Sequence, residues 1–285
     1  MSASSDLPVA DVQSAEGSAP APRRRRSPLA RGATSLAFGI GVPVLLIVIW
    51  LIWARVSPQP FFPSPVAIFE AFLDTWVGPA MMNDVVPSLT RLAVAIVLAI
   101  SIGITAGTVI GLTPWLRELL EPVLEFFRAI PPPVLIPVFT LLMGITTSMK
   151  LTVIVAGAFW PVLLNTIDGV RSTDSVMTET ARSFGLTRRE RLRYLVLPSA
   201  SPRIMTGVRQ TLSIALIMMV ISEMFNTSSG LGYRIVYFQR NYLIAEMWSG
   251  ILLLGLVGVF LALIFTFVER RVLRWYHGIK ETERA

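Results

Sequence analysis

Six apolar runs, divided by short polar segments and one longer basic insert, limit what this chain can fold into. A helix of about 20 apolar residues crosses the roughly 30 Å of hydrocarbon in a bilayer. Within lipid, only helices and closed barrels satisfy their own backbone hydrogen bonds. The runs fall near residues 36–55, 86–112, 128–145, 149–168, 205–225 and 248–268. They predict an all-α, polytopic membrane protein with six transmembrane helices. Composition agrees: 53% of the residues are hydrophobic and 15% charged, against about a quarter charged in a soluble domain.

Several chemistries are excluded at once. The chain has no Cys and a single His, His277, so disulfides, thiolate metal sites, Cys nucleophiles and Ser-His triads have no material. It lacks a G-x-x-x-x-G-K-[ST] phosphate loop, so nucleotide must be bound by another polypeptide. No enzymatic activity, cofactor or metal is expected. The net charge of +7 suits nucleic acid less well than membrane topology, because arginines beside spans hold loops on the cytoplasmic side. With the N-terminus inside, 20 of the 25 basic residues lie on that side, and only Arg55, Arg91, Lys150, Arg234 and Arg240 lie at or near the outer one. Both termini are therefore placed in the cytoplasm.

Residues 1–31 are rich in Ser, Ala and Pro and carry Arg23–Arg26; they read as a disordered cytoplasmic tail. The run Leu36–Trp53 is too long for a cleaved signal and has no small-x-small site, so 32–56 reads as a retained N-terminal transmembrane helix. Residues 57–85 form an outer interfacial segment. Ser64 is a candidate N-cap, with Pro65 at the first helical position. Val66, Phe69, Phe72, Leu73 and Trp76 then space as one face of a helix lying on the membrane surface.

The basic insert, 170–203, has its own punctuation. Asp174 or Thr173 can cap a short helix running to about Phe184. Gly185 follows where a helix end calls for a left-handed residue. Thr187 and Glu190 have the capping-box spacing of a second helix, expected to run to Leu197, with Pro198 limiting its continuation. Such a pair of helices at a glycine corner either caps the bundle or presents a rigid knob to a partner.

The insert resembles the conserved cytoplasmic loop of ABC importer permeases, the EAA motif: Glu179, Ala181, Gly185, Leu197 and Pro198 match, and Thr180 stands where Ala is usual. Thr is small enough to preserve docking. Further collinear segments are similar to the sulfonate, taurine and nitrate branch of these permeases. They are Phe62-Pro-Ser-Pro65, Arg128-Ala-Ile-Pro-Pro-Pro133, Phe159-Trp-Pro-Val-Leu-Leu-Asn-Thr166, Glu223-Met-Phe-Asn-Thr-Ser-Ser-Gly-Leu-Gly-Tyr233 and Glu269-Arg-Arg271. The resemblance covers about 60–275. It implies a type I ABC importer permease fold, with a transmembrane core over 86–270 and a cytoplasmic tail over 271–285.

By the same resemblance the loop is a coupling helix seated on a cytoplasmic ATP-binding subunit. Glu179, Ala181 and Gly185 would lie at the contact, with Arg188 and Arg189 beside it and Leu197 and Pro198 closing the motif. An external solute-binding protein and a second permease, making a homodimer, are the other partners it implies, besides the lipid bilayer. An ATPase-independent secondary transporter or channel is the alternative from another class. It is disfavoured by the absence of an internal repeat and of several buried ionisable groups.

Four positions are candidates for the pathway or gate. Glu223 is the acidic residue embedded in the apolar run Leu212–Phe225; it lines a pathway, or it sits in outer water or pairs with Arg234. Asn165, with Asp168, lines an inner vestibule or hydrogen-bonds at a helix end. Pro132 and Pro133, in the triplet begun by Pro131, require a helix break, which at membrane depth is buried in protein or lines water. Gly230 and Gly232 make an outer turn, or let a binding protein approach.

Overall fold

The computed structural model describes residues 28–57, 59–225 and 227–276. The expectations for residues 1–27 and 277–285 lie outside the described residues. By internal contacts the chain divides between Ile52 and Trp53. The described part of the first unit is α1 (Pro28–Val56) as far as Ile52; the helix begins inside the expected tail, and its last turn belongs to the second unit.

The second unit holds the remaining elements. Helix α2 (Pro65–Trp76) begins as expected, its Ala67 N–H donating to the Ser64 hydroxyl at 3.2 Å. It does more than lie on a surface. Trp76 is fully buried, its indole N–H donates to Ser249 Oγ at 2.9 Å, and its ring meets Phe238 edge-on at 6.3 Å.

A π turn (Met81–Val85) leads into α3 (Val86–Leu112), and α4 (Pro114–Ala129) follows. The third expected span is broken at the proline triplet, as Pro131–Pro133 require. Ile130 and Pro131 are extended (ψ 120° at both), a short 3-10 turn occupies Pro132–Leu135, and α5 (Ile136–Met143) leaves at 85° to α4. A residue before proline is pushed out of the helical region, and three consecutive prolines do this repeatedly. Helix α6 (Thr147–Arg171) is capped by Thr146.

The short helices α7 (Ser175–Ser183) and α8 (Arg188–Arg191) precede a second π turn (Leu192–Val196), which feeds α9 (Leu197–Met224). Here the structure corrects the expected helix end: Pro198 does not stop the chain, and Arg188–Met224 is one helical run. The Leu197 N–H bonds to Leu192 O, one residue wider than an α-turn. The wider turn admits a proline, which has no N–H to place. The same arrangement recurs at Pro87, where Val86 N–H reaches Met81 O. Helices α10 (Leu231–Arg240) and α11 (Ile244–Val272) complete the described unit.

Among the described residues, four helical runs are long and apolar enough to cross a membrane: Met81–Leu112, Thr147–Arg171, Arg188–Met224 and Ile244–Val272. The bent α4–α5 pair makes a fifth span if counted as one, and the apolar stretch Gly41–Val56 of α1 is shorter.

The core is α6 packed between α3 and α9. Gly103, Gly107 and Gly111 of α3 face Leu163, Thr166 and Val170 in a parallel register; a Cβ on Gly107 would lie 2.8 Å from Leu163 O. On the other side, Gly207 meets Val162 and Asn165, Gly169 meets Ala200, and Thr211 Oγ1 donates to Ala158 O at 2.8 Å, so α9 runs antiparallel. Lipid tails are as apolar as leucine and supply no hydrophobic drive between helices, so close approach through small residues does the packing.

Candidate functional site

The two ends of the α6/α9 pair carry different chemistry. At one end, α6 and α9 are joined by the basic loop. The Val176 N–H donates to Asp174 Oδ1 at 2.7 Å, which settles the cap between the two candidates. Gly185 has φ +76°, Gly185 N–H bonds to Arg182 O at 2.9 Å, and Leu186 N–H bonds to Ala181 O at 3.1 Å. This pair of bonds is a Schellman closure. A Cβ at Gly185 would meet nothing within 4 Å; the glycine is required by its backbone angle and not by space.

Thr187 and Glu190 form the capping box: Glu190 N–H donates to Thr187 Oγ1 at 3.3 Å, and Thr187 N–H donates to Glu190 Oε2 at 2.8 Å. Glu190 lies in this polar loop, ahead of the apolar stretch. Hydrogen bonds from the Thr187 side chain and backbone hold its carboxyl below the usual glutamate range.

The structure thus brings Glu179, Ala181, Gly185, Arg188 and Arg189 onto one helix-glycine-helix knob. Leu197 and Pro198 lie a π turn further on, in the first turn of α9. The knob also exposes Val176, Met177 and Phe184, the last 80% accessible. The motif gave no sign of these exposed apolar side chains.

At the other end, roughly 35 Å away along α6 at 1.5 Å per residue, the last turn of α9 carries Glu223. Glu223 is 1% exposed, which removes the reading of a group in outer water. Its partner is not Arg234 but Arg91 of α3, with which it forms a direct ion pair. Ser88 Oγ donates to it at 2.7 Å, and Gly232 N–H donates to its Oε2 at 3.2 Å. Arg234 instead bonds Asp84, its Nε lying 2.8 Å from Oδ2. The other oxygen of Asp84 accepts Gly230 N–H at 3.0 Å, and Ser88 Oγ accepts Leu231 N–H at 3.0 Å. Lys150 of α6 reaches Ser229 O at 3.2 Å. Two carboxylates and one hydroxyl therefore bind three successive backbone N–H groups of the α9–α10 turn. Helices α3, α6, α9 and α10 meet there in a satisfied polar cluster.

Gly230 and Gly232 are explained by this cluster. A Cβ on Gly230 (φ +121°) would collide with the Glu223 carboxyl, and one on Gly232 would stand 3.0 Å from Glu223 Cβ. Asn165 donates from Nδ2 to Pro161 O at 2.8 Å within α6 and packs against Gly207. Pro132 and Pro133 are half-buried, with Pro132 against Gly157. Sequence reasoning missed Asp84 and Ser88 and gave Arg91 and Lys150 only a topological role. A basic residue within the first turns of an apolar run was the available signal. Among the described residues, no group of three or more His, Cys, Asp or Glu could hold a metal.

Comparison with known proteins places this architecture. Residues 99–275 match the family described as binding-protein-dependent transport system inner membrane component. The taurine transport system permease protein TauC of Escherichia coli is 30% identical over 262 residues, covering 89% of this chain and 93% of its own. The nitrate import permease protein NrtB of a Synechocystis species is 26% identical, covering 88% and 94%. An inward-facing structure of the MetNI methionine ABC transporter superposes with a TM-score of 0.56 at 19% identity, over 66% of this chain and 94% of that one. The chain belongs to the family of binding-protein-dependent inner membrane permeases, and its fold is that of an ABC importer permease.

Proposed function

We propose that this chain is the membrane-spanning subunit of an ATP-driven importer for a small anion or zwitterion of the sulfonate, taurine or nitrate type. The observation that carries the reading is the helix-glycine-helix knob joining α6 to α9. Two capped helices fixed at Gly185 make a rigid body, and a rigid body transmits displacement between packed arrangements where a floppy loop would not. A cytoplasmic ATP-binding subunit seats on the knob through Glu179, Ala181 and the exposed Phe184, with Arg188 and Arg189 flanking. Two copies of this permease work over two such subunits, and an external binding protein delivers the solute. Hydrolysis of ATP takes place in the partner. Its binding shifts the permease between inward-facing and outward-facing states because it favours one over the other.

The polar cluster around Glu223 lies at the far end, which the distribution of arginines assigns to the outer face, with both termini in the cytoplasm. The Pro131–Pro133 break and Asn165 are the remaining positions assigned to the pathway region. Branch relatives named for taurine and nitrate support the substrate class.

The test is purification of the chain from its native membrane in mild detergent, with mass spectrometry of what accompanies it. Recovery of a P-loop ATPase, followed by ATP-dependent uptake of taurine or nitrate in vesicles, is the expected result. Isolation of the chain alone from several detergents, with uptake independent of ATP, would favour a secondary transporter or channel.

A further inference from the structure

A cavity of about 670 Å³ lies between the end of α3 and the two short helices of the knob. Its basic side is made by Arg182, Arg188 and Arg191, and its apolar side by Leu112, Leu192 and Leu195. Residues 188, 191, 192 and 195 fall on one face of a continuous helical run. The lining is therefore set by the helix itself and not by chance rotamers.

None of the three arginines forms an ion pair among the described residues; the four pairs present involve Arg91, Arg128, Arg209 and Arg234. The adjacent acid, Glu190, is held by Thr187. Arg191 Nε is buried and has no hydrogen-bond partner. Three cations thus share a cavity that contains no anion of its own.

The apolar side has a direction. Leu112 ends the apolar run of α3, and Leu192 and Leu195 lead into that of α9. Trp115, 66% exposed, stands three residues after Leu112, and tryptophan favours the interface between lipid and water. Charge on the loop side and hydrocarbon on the span side match one molecule with an anionic head and an acyl tail. Basic pockets between helices on the cytoplasmic side have this affinity for anionic headgroups. The exposed Val176, Met177 and Phe184 of the knob do not line the cavity; of the residues assigned to the partner contact, Arg188 at its flank also reaches the cavity.

We propose that this cavity is a binding site for an anionic phospholipid. The headgroup phosphate is held by Arg182, Arg188 and Arg191, and an acyl chain lies along Leu112 and Leu195. The site would fix the knob to the membrane on which it must act.

The experiment is native mass spectrometry of the full chain in detergent, titrated with phosphatidylglycerol or phosphatidylcholine. Phosphatidylglycerol should be retained preferentially, and Arg182→Gln with Arg188→Gln should weaken it about fivefold per arginine removed. Both side chains are exposed, and Arg182→Gln alone serves if the double variant fails to fold. The control Arg270→Gln with Arg271→Gln, on α11, should leave retention unchanged. Equal retention of the two lipids, or equal loss in the control, overturns the proposal. Displacement by inorganic phosphate at the lipid's own concentration would mark a site for free anions and also overturn it. So would release of phosphatidylglycerol when the ATP-binding subunit is added, since the cavity would then belong to that partner. The lipid readout needs no ATPase, so its failure leaves the importer reading untouched.

Discussion

Arg91 and Glu223, 132 residues apart in the chain, form a buried ion pair that ties the first turns of α3 to the last turn of α9. Glu223 also receives Ser88 Oγ and Gly232 N–H, so its lone pairs are occupied beyond the pair itself. A buried pair of this kind is worth little relative to an apolar replacement, but removing one partner leaves a buried charge and costs about 3–5 kcal/mol. Arg91→Met should therefore lower thermal stability in detergent sharply, and Arg91→Met with Glu223→Gln should recover much of the loss. Single and double variants melting together with the wild type would show that the pair does not form in the protein.

The knob yields a prediction about function without loss of fold. Gly185→Val forces a β-branched residue to φ +76°, a conformation that strains non-glycine residues by about 1–3 kcal/mol. No neighbour is within 4 Å of the added Cβ, so the strain is confined to the corner. Insertion into the membrane should be normal, whereas uptake should fall and the partner's ATP hydrolysis should run uncoupled from it. Gly185→Asn, which tolerates the left-handed region, should retain most transport. Full uptake by Gly185→Val at normal expression would refute the knob's role.

Glycines of α3 differ from that corner because space, not angle, dictates them. Gly107→Leu places a side chain where Thr166 and Leu163 of α6 already stand, and close packing leaves no room for it. The variant should fail to accumulate as a detergent-stable protein. Gly255→Ala, with nothing within 4 Å of its Cβ, should accumulate normally. Measured yield and melting temperature separate the two; equal behaviour would mean that α3 and α6 do not touch through this stripe.

Local signals were legible in the sequence, and distant pairings were not. Ser64, Asp174, Gly185 and the Thr187–Glu190 box were readable because each acts within four residues of itself. The partner of Glu223 was hidden because Arg91 and Arg234 are equally basic, and only the packing of α3 beside α9 chooses between them. Pro198 limits a helix under a rule that assumes α-turns, and the π turn at Leu192–Val196 relaxes that assumption. The Gly103, Gly107, Gly111 spacing was present in the sequence, but reading runs for length alone passes over the period of small residues that orders α3 against α6.

The capping box supplies a pH dependence with a definite sign. The Glu190 carboxyl is held below its ordinary value of 4.5 by the Thr187 hydroxyl and backbone N–H, so the folded loop binds its proton less readily than the unfolded chain. A depressed carboxyl pKa contributes stability that is fully present above the unfolded value and is lost as pH falls through the folded one. Protection of the Thr187 and Glu190 amides from hydrogen exchange, corrected for intrinsic rates, should therefore be constant from neutral pH down to about 4.5 and decline below it. Glu190→Gln keeps the shape of the box and removes the titration, so its protection should be lower at neutral pH and flat across the same range. If the wild-type amides lost protection between pH 7 and 5, a group other than Glu190 would control the loop. If Glu190→Gln showed the same acid decline as the wild type, the carboxylate would not be the anchor of α8.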